Sequence, residues 1–167
     1  LTISRIREEI KGFKTIQFEQ RQGDKLPYRA GQYLTFVHTH FGKEIRRSYS
    51  ITSSPELHEP LTIGVKRIEN GFFSRLLVDQ AKVGDVMLTT GAAGFFTLPE
   101  GMEPYKQILL LAAGSGIAPI YSLLKTALFA YEEVQVILIY SNSSPQRTVF
   151  REALAQLKMQ FPRRFKM

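Results

Sequence analysis

The spacing of apolar residues changes near residue 100, and this change limits the chain to a few possible folds. Before it, short β-favouring runs alternate with turn signals, a pattern typical of a barrel or a sandwich. A short helix is expected among these strands, because apolar side chains follow helical spacing between residues 72 and 81. The predicted strands include residues 33–37, 46–52, 61–67 and 86–90.

After residue 101 the pattern becomes strand, helix, strand, helix. Residues 108–113 form a continuous apolar run, which predicts a strand buried on both faces, and residues 134–140 form a second one. Helices are predicted over residues 120–131 and 146–159. This order is typical of the beginning of a doubly wound α/β sheet.

The sequence therefore predicts two domains, residues 1–101 and residues 102–167. Two strands are too few for a parallel sheet that is covered on both faces. We accordingly expect the second domain to be incomplete in this chain.

Composition excludes several classes of protein. Hydrophobic residues make up 44% and charged residues 22%, as in ordinary folded chains. The longest apolar run is too short for a membrane span and no signal-like segment starts the chain, so we expect a cytoplasmic protein without a membrane partner. The absence of cysteine excludes disulfides and an iron-sulfur cluster ligated within the chain.

The net charge of +7 favours anionic partners. Phosphate-bearing cofactors, an acidic electron-transfer protein and nucleic acid all fit it, and so does a merely solvated basic surface. His38 and His40 share a face of a predicted strand, but two histidines without a third ligand predict no metal site.

Arg47, Tyr49 and Ser50 lie in the segment richest in chemical information. In a strand, Arg47 and Tyr49 share one face, while Ser48 and Ser50 point to the other. An arginine can clamp a diphosphate, and a nearby tyrosine ring can lie against a flat heteroaromatic group. An ordinary strand with one exposed arginine and one half-buried tyrosine would show the same pattern.

A second segment points to the same ligand chemistry. It begins the short helix, where free backbone N–H groups attract an anion and a serine adds a hydroxyl donor. Simple N-capping by Asn70 or Gly71 is the alternative. The residues of this candidate diphosphate seat are Gly71, Phe72, Phe73 and Ser74.

Together these motifs resemble the ferredoxin-NADP reductase superfamily, and within it the reductase components of bacterial ring oxygenases. The resemblance covers nearly the whole chain. It includes the Arg-x-Tyr-Ser pattern, the Gly-x-x-Ser helix start, a Pro-Tyr-Arg-Ala-Gly-Gln-Tyr segment at residues 27–33 and a Gly-Phe-Phe-Thr-Leu turn at residues 94–98.

The resemblance implies a six-stranded antiparallel Greek-key barrel that binds FAD. It places Arg47 on the diphosphate, Tyr49 against the isoalloxazine ring and Ser50 near the reactive N5, so that Tyr49 and Ser50 are the expected catalytic residues. Val65 and Lys66 match a strand along the phosphate side of the flavin. The flavin itself performs the redox chemistry.

A glycine loop follows the first strand of the second domain and precedes its first helix, as a dinucleotide-binding loop requires. It ends in proline where the usual fingerprint has a third glycine, and it is similar to the superfamily's Gly-x-Gly-x-x-Pro variant. The resemblance implies that this incomplete Rossmann-like domain binds the diphosphate of a nicotinamide nucleotide. The candidate residues are Gly114, Ser115, Gly116 and Pro119.

The loop after the second strand offers Ser141, Asn142 and Arg147 and has no carboxylate to bind a ribose 2′-OH. This favours a 2′-phosphate, and therefore NADPH over NADH. The position after the asparagine is Ser143, where the family often has an arginine.

The function predicted from these features is hydride transfer from NAD(P)H to FAD, followed by electron transfer to an iron-sulfur partner. The predicted partners are a ferredoxin-like iron-sulfur domain or protein and an oxygenase component. A flavin-bound sensor without turnover is a second hypothesis. A basic β-barrel that binds nucleic acid is a third, but such a module has no use for a strand, glycine loop and helix behind it.

Overall fold

The computed structural model describes residues 1–20 and 25–167. In the first part of the chain, strands form where β-branched and aromatic residues alternate with polar ones. These strands are β1 (Thr2–Ile10), β2 (Phe13–Glu19), β3 (Tyr33–His40), β4 (Lys43–Ser50), β5 (Thr62–Lys66) and β6 (Leu88–Ala93).

Two antiparallel three-stranded sheets result, in the orders β1-β2-β5 and β4-β3-β6. Their inner faces bury one apolar cluster, in which Ile16, Phe36 and Ile63 are fully buried. Two isolated antiparallel bridges join the sheets, Thr2 to Val86 and Ile51 to Ile63. The predicted all-β character of this part is confirmed.

The predicted short helix is present, but it is less regular than its apolar spacing indicates. Helix α1 (Phe72–Arg75) passes into a π-helical turn (Leu76–Gln80). Phe73 and Leu77 belong to the same apolar cluster and are nearly inaccessible to solvent. Burial of these two side chains therefore outweighs regular hydrogen bonding in so short a segment.

The second part of the chain is a parallel three-stranded sheet with helices, as predicted, in the order β7-β8-β9. All its strand pairs are parallel. The ninth strand is a short addition that the sequence pattern did not predict. The elements are β7 (Gln107–Ala113), α2 (Ile117–Ala130), β8 (Gln135–Ser141), α3 (Arg151–Gln160) and β9 (Phe165–Lys166).

The prediction that β7 is buried on both faces is wrong, and so is the prediction that β8 is a buried strand, since Ile139 is 57% exposed. Leu109 and Leu111 are 58% and 63% exposed, whereas Leu110 between them is buried. Each new strand is added on the same side of the previous one, in the order β7-β8-β9. Because crossovers between parallel strands are right-handed, α2 and α3 then lie on the same face of this sheet. The opposite face of the sheet carries no helix from the described residues.

The helix predicted over residues 146–159 begins later than expected. A 3₁₀ turn (Pro145–Arg147) comes first, and α3 starts at Arg151. Phe150 adopts a left-handed conformation with φ of 60°. Its ring stacks on Tyr121 at 4.3 Å between centroids and meets Phe13 edge-on at 6.0 Å. This tertiary packing accounts for the break in the helix.

The two parts of the chain meet through a buried polar contact between the loop after β4 and helix α2. The Ser122 hydroxyl donates to the Ser53 carbonyl oxygen over 2.5 Å, and the Ser54 and Thr126 hydroxyls are 2.7 Å apart. These bonds satisfy hydroxyl groups that would otherwise be buried without partners. They also fix the position of α2 against the first part of the chain.

An ion pair completes this contact. Lys125 donates to Glu59 Oε2, which also accepts the Ser54 backbone N–H at 2.7 Å. The Lys125 side chain is only 9% exposed and that of Glu59 is 30% exposed. Burial lowers the pKa of Lys125, and the neighbouring Glu59 carboxylate offsets this lowering only in part.

Replacement of Glu59 by glutamine should lower the free energy of unfolding by about 2 kcal/mol, because it leaves a buried ammonium group without a counter-charge. The partial exposure of Glu59 keeps the loss below the cost of a fully buried pair. Urea denaturation measures this difference. Glu56→Gln is the matched control, since Glu56 accepts the Ser54 and Thr126 hydroxyls and forms no salt bridge among residues 1–20 and 25–167. Equal losses in the two variants would contradict the role given to the charge.

Candidate functional site

Strand β4 lies at the edge of its sheet and carries the Arg-x-Tyr-Ser residues. Cross-strand pairing places Arg47 opposite Phe36 and Tyr49 opposite Leu34. Phe36 and Leu34 are fully buried, so this face of β4 is directed toward the core side and α1. The predicted sharing of one face by Arg47 and Tyr49 is confirmed.

The serines of β4 occupy the other face. The hydroxyl of Ser48 lies 2.8 Å from that of Thr35, its cross-strand partner. Ser50 pairs with Tyr33 at the end of the strand. Directly after it, Ile51 forms the bridge to β5, so Ser50 stands where the two sheets meet.

Tyr49 is half-buried at the border between the core and the surface. Its ring centroid lies 6.3 Å from that of Phe36 and 6.1 Å from that of Phe73. Burial raises its pKa to about 12, and Arg47 offsets this only in part. The phenol therefore stays neutral at physiological pH, which suits a ring that packs against a flat aromatic ligand.

Arg47 is exposed, and its Nη1 donates to the Arg46 carbonyl oxygen at 2.7 Å. Among residues 1–20 and 25–167 it forms no salt bridge. Most of its donor fork is therefore available to an anion, and a diphosphate satisfies such a fork well.

The start of α1 lies beside Tyr49, whose ring centroid is 6.1 Å from that of Phe73. Gly71 is the N-cap residue, without a side-chain capping bond. The hydroxyl of Ser74 accepts the Ile68 N–H at 3.1 Å and donates to the Gly71 carbonyl oxygen at 3.2 Å. It is thus engaged within the chain, which leaves the backbone N–H groups of Phe72 and Phe73 as the donors offered by this turn.

Val65 and Lys66 differ sharply in exposure. The Val65 side chain is fully buried in the core and Lys66 is exposed at the strand end. Val65 as a whole is inaccessible to solvent, so of these two candidates only Lys66 is open to a ligand. Gly64 beside it leaves no room for a side chain, because an added Cβ would lie 2.7 Å from Phe13 Cζ.

The glycine loop forms a 3₁₀ turn (Gly114–Gly116) that leads directly into α2. Gly114 has a φ of +51°, and its carbonyl oxygen accepts the Tyr140 hydroxyl at 3.0 Å. An added Cβ at Gly114 or Gly116 would meet no atom within 4 Å, so the space beside the loop is open. Pro119 lies in the first turn of α2, where proline is tolerated.

The loop after β8 lies at the same edge of the sheet as the glycine loop, because Ala113 pairs with Ser141 in the parallel ladder. The carboxyl ends of parallel strands are where open α/β sheets bind ligands. Asn142 has a buried Oδ1 without a hydrogen-bond partner in the described part of the chain. Arg147 is exposed in the following 3₁₀ turn.

The structure therefore groups the candidate residues in two sets. Arg47 and Tyr49 share the edge strand of the first part, near α1, and the glycine loop joins Ser141 and Asn142 at the edge of the parallel sheet. Sequence reasoning missed a row of aromatic rings at the β3–β4 turn, which only strand pairing brings together with α1.

A cleft of about 450 Å³ lies elsewhere, between β1, β2, α2 and the start of α3. Arg5, Arg7, Tyr121 and Arg151 are among the residues that line it, and none of the candidate flavin residues does. Pro145 and Thr148 beside Arg147 line it, but no candidate residue of either set does, so the chemistry above identifies the site better than cavity size does.

Two features are absent from residues 1–20 and 25–167. No helix there combines the length and apolar character needed to cross a membrane. No three His, Cys, Asp or Glu side chains in these ranges are grouped so that they could hold a metal ion.

Comparison with known proteins gives consistent matches over both parts. Residues 2–98 match the Oxidoreductase FAD-binding domain and residues 110–167 match the Oxidoreductase NAD-binding domain. The chain is 35% identical to one of the subunits of 1,2-phenylacetyl-CoA epoxidase from Escherichia coli, over 100% of its own length and 47% of that protein. It is 34% identical to the ferredoxin reductase component of 3-ketosteroid-9-alpha-monooxygenase from Rhodococcus rhodochrous, over 98% and 46% of the two chains.

Among solved structures, phthalate dioxygenase reductase superposes with a TM-score of 0.82 at 26% identity. The match covers 99% of this chain and 49% of that one. The chain thus spans about half the length of the relatives it matches.

The antiparallel first part and the parallel α/β second part thus match, in chain order, the FAD-binding and NAD-binding domains of oxidoreductases. The chain belongs to the ferredoxin-NADP reductase family.

Proposed function

We propose that this chain belongs to an NAD(P)H-dependent flavin reductase that transfers a hydride to FAD and passes electrons to an iron-sulfur acceptor. The observation that carries the proposal is the pairing of Arg47 and Tyr49 on one face of an edge strand, beside the start of α1. A free guanidinium fork and a neutral phenol ring at this spacing fit the diphosphate and the ring system of one flavin dinucleotide.

The residues present fit this cofactor. Arg47 has no acidic partner within the described ranges, and the peptide groups at the start of α1 add donors. When bound, FAD supplies the hydride and single-electron chemistry. The chain's own contribution is to orient the ring through Tyr49, to hold the phosphates through Arg47, and to offer the Ser50 hydroxyl at the end of β4.

We further infer that the six strands of residues 1–101 form a Greek-key barrel, with residues 102–167 as a separate nucleotide-binding domain. The bridges from Thr2 to Val86 and from Ile51 to Ile63 support this inference, because each joins one sheet to the other. Together with the ladders, they connect the strands in a cyclic order.

NADPH is the proposed hydride donor. The exposed Arg147 in the turn after β8 supports it, since it offers a cation for a 2′-phosphate. The proposed electron acceptor is a ferredoxin-like domain or protein that serves an oxygenase component. The names of the relatives support this acceptor, as they include a ferredoxin reductase component of a monooxygenase.

Reduction of bound flavin tests the function directly. We expect protein loaded with FAD to be yellow, and we expect NADPH to bleach it faster than NADH in a protein that also carries the remainder found in the longer relatives. Yellow protein that neither nucleotide bleaches would instead indicate a flavin-bound sensor. Protein that binds no flavin would refute both.

Arg47→Ala should weaken FAD binding roughly tenfold to a hundredfold, because it removes charge-assisted hydrogen bonds worth about 1.5 to 3 kcal/mol. Isothermal titration of the flavin-free protein gives the dissociation constant. Arg46→Ala is the matched control, since Arg46 lies on the opposite face and pairs with Glu44 at 2.6 Å. The same loss in both variants would show that surface charge, and not a diphosphate contact, is being measured.

A further inference from the structure

A buried hydrogen bond connects the end of the Arg-x-Tyr-Ser strand to the helix that follows the glycine loop. Ser53 lies just after Ser50, the last residue of β4. Ser122 lies on α2, shortly after Gly116 ends the glycine loop. The Ser122 hydroxyl donates to the Ser53 carbonyl oxygen over 2.5 Å, and both residues are buried. The bond therefore joins the two parts of the chain close to both sets of candidate residues.

The acceptor of this bond is held firmly in the first part of the chain. The Ser53 hydroxyl lies 2.8 Å from that of Tyr28 and accepts the Thr62 N–H at 3.0 Å. The N–H of the preceding residue, Thr52, donates to the Thr62 carbonyl oxygen at 2.8 Å. Since Thr62 begins β5, these bonds fix the Ser53 backbone to a strand of the first part.

The donor, Ser122, is directed across the contact and away from its own helix. A serine inside a helix often bonds to the carbonyl oxygen one turn earlier, but the Ser122 hydroxyl donates to the other part of the chain. An apolar side chain would also fill this position, but apolar contacts have no preferred direction. A hydrogen bond has a defined length and direction, so serine fixes a distance here.

The first turn of α2 also touches the first part of the chain. Ala118 lies so near Gly64 on β5 that an added Cβ on the glycine would be 3.2 Å from Ala118 Cβ. This contact limits how closely the glycine loop approaches β5. The Ser122 bond limits how far α2 moves away. Together the two contacts set the distance from the glycine loop to the ends of β4 and β5.

We propose that Ser122 is a positioning residue for hydride transfer: its bond to Ser53 sets the distance from a nicotinamide nucleotide on the glycine loop to the flavin beside Tyr49. The proposal rests on the proposed function and adds a residue outside both candidate sets. The step moves a hydride, with its electron pair, from the dihydronicotinamide to the flavin. Misplacement of the reactants by about 1 Å can slow such a step roughly a hundredfold.

Stopped-flow reduction of bound flavin by NADPH tests the proposal, in protein that includes the remainder found in its longer relatives. We expect Ser122→Ala to lower the limiting rate roughly tenfold to a hundredfold, because α2 loses its fixed distance from β4. Titration calorimetry should give unchanged dissociation constants for FAD and for NADP⁺, since the candidate binding residues are intact. This difference between rate and affinity separates positioning from binding.

A dihydronicotinamide without the nucleotide, N-benzyl-dihydronicotinamide, provides a second measurement. It has no diphosphate to bind the glycine loop, so the position of α2 does not set its distance from the flavin. Its rate of flavin reduction should be the same in Ser122→Ala and in the unaltered protein. Equal slowing with both donors would show that the flavin site itself is disturbed, and would overturn the positioning role.

Thr126→Val is the matched control, because Thr126 is buried in the same contact one helical turn further along α2. Its hydroxyl contacts the Ser54 and Glu56 side chains, which also bond to each other. Urea denaturation of the flavin-free chain should show a loss of stability in both variants. The limiting rate with NADPH should fall only in Ser122→Ala.

An equal fall in the limiting rates of Ser122→Ala and Thr126→Val would overturn the proposal, and so would a rate for Ser122→Ala equal to that of the unaltered protein. Either result leaves the proposed function intact. Unaltered protein whose bound flavin NADPH does not reduce would instead refute the proposed function, and the positioning role with it.

Discussion

Gly31→Ala is expected to lower the free energy of unfolding by about 4 kcal/mol, because the new methyl group meets backbone that cannot move aside. The added Cβ would lie 1.9 Å from the Phe96 carbonyl oxygen and 3.0 Å from Leu123 Cδ2. Gly31 also has a φ of +90°, which adds strain for alanine. Phe96 lies between β6 and β7, and Leu123 lies on α2. The added methyl group would therefore disturb the packing of the Gly31 turn against both of these segments.

Urea denaturation of Gly31→Ala, followed by circular dichroism and tyrosine fluorescence, measures this loss. Gly42→Ala separates the two causes, since Gly42 has a φ of +71° and an added Cβ there meets nothing within 4 Å. Strain alone should cost this control about 1 kcal/mol. Similar losses in the two variants would mean that the chain around Gly31 shifts easily and that its packing was misjudged.

Ser50→Ala should slow the reduction of bound flavin by up to about 10²-fold while flavin stays bound. A hydroxyl at the end of β4, next to Tyr49, can orient the flavin ring and stabilise the charge that develops during hydride transfer. Loss of one positioned donor affects the transition state more than the ground state. Stopped-flow absorbance gives the limiting rate with NADPH, in protein that includes the remainder found in its longer relatives.

Ser48→Ala is the control for this experiment. Ser48 lies on the same face of β4 as Ser50, but its hydroxyl bonds to Thr35. We expect its reduction rate to be unchanged. A limiting rate for Ser50→Ala equal to that of the unaltered protein, at full flavin occupancy, would remove Ser50 from the chemistry and leave it a strand residue.

The sequence could predict only part of the candidate site, because some of its features depend on local backbone pattern and others on tertiary contacts. Arg47 and Tyr49 could be assigned to one face from sequence, because strand alternation is a property of the backbone. The engagement of the Ser74 hydroxyl with Ile68 and Gly71 could not, because the same Gly-x-x-Ser spacing permits a bond to a ligand or to the chain itself.

For this protein, the sequence alone determined what depends on period and local turn chemistry: the antiparallel first part, the strand, glycine loop and helix that follow it, and the shared face of Arg47 and Tyr49. Tertiary structure decided the features that depend on contacts between elements, such as which strand faces are covered and where a helix begins. One-directional strand order left Leu109 and Leu111 exposed, and the contacts of Phe150 with Tyr121 and Phe13 delayed α3. The physical reason is that burial and stacking are set by contacts between segments distant in sequence, whereas a hydrophobic period reports only which side of its own helix or strand a residue occupies.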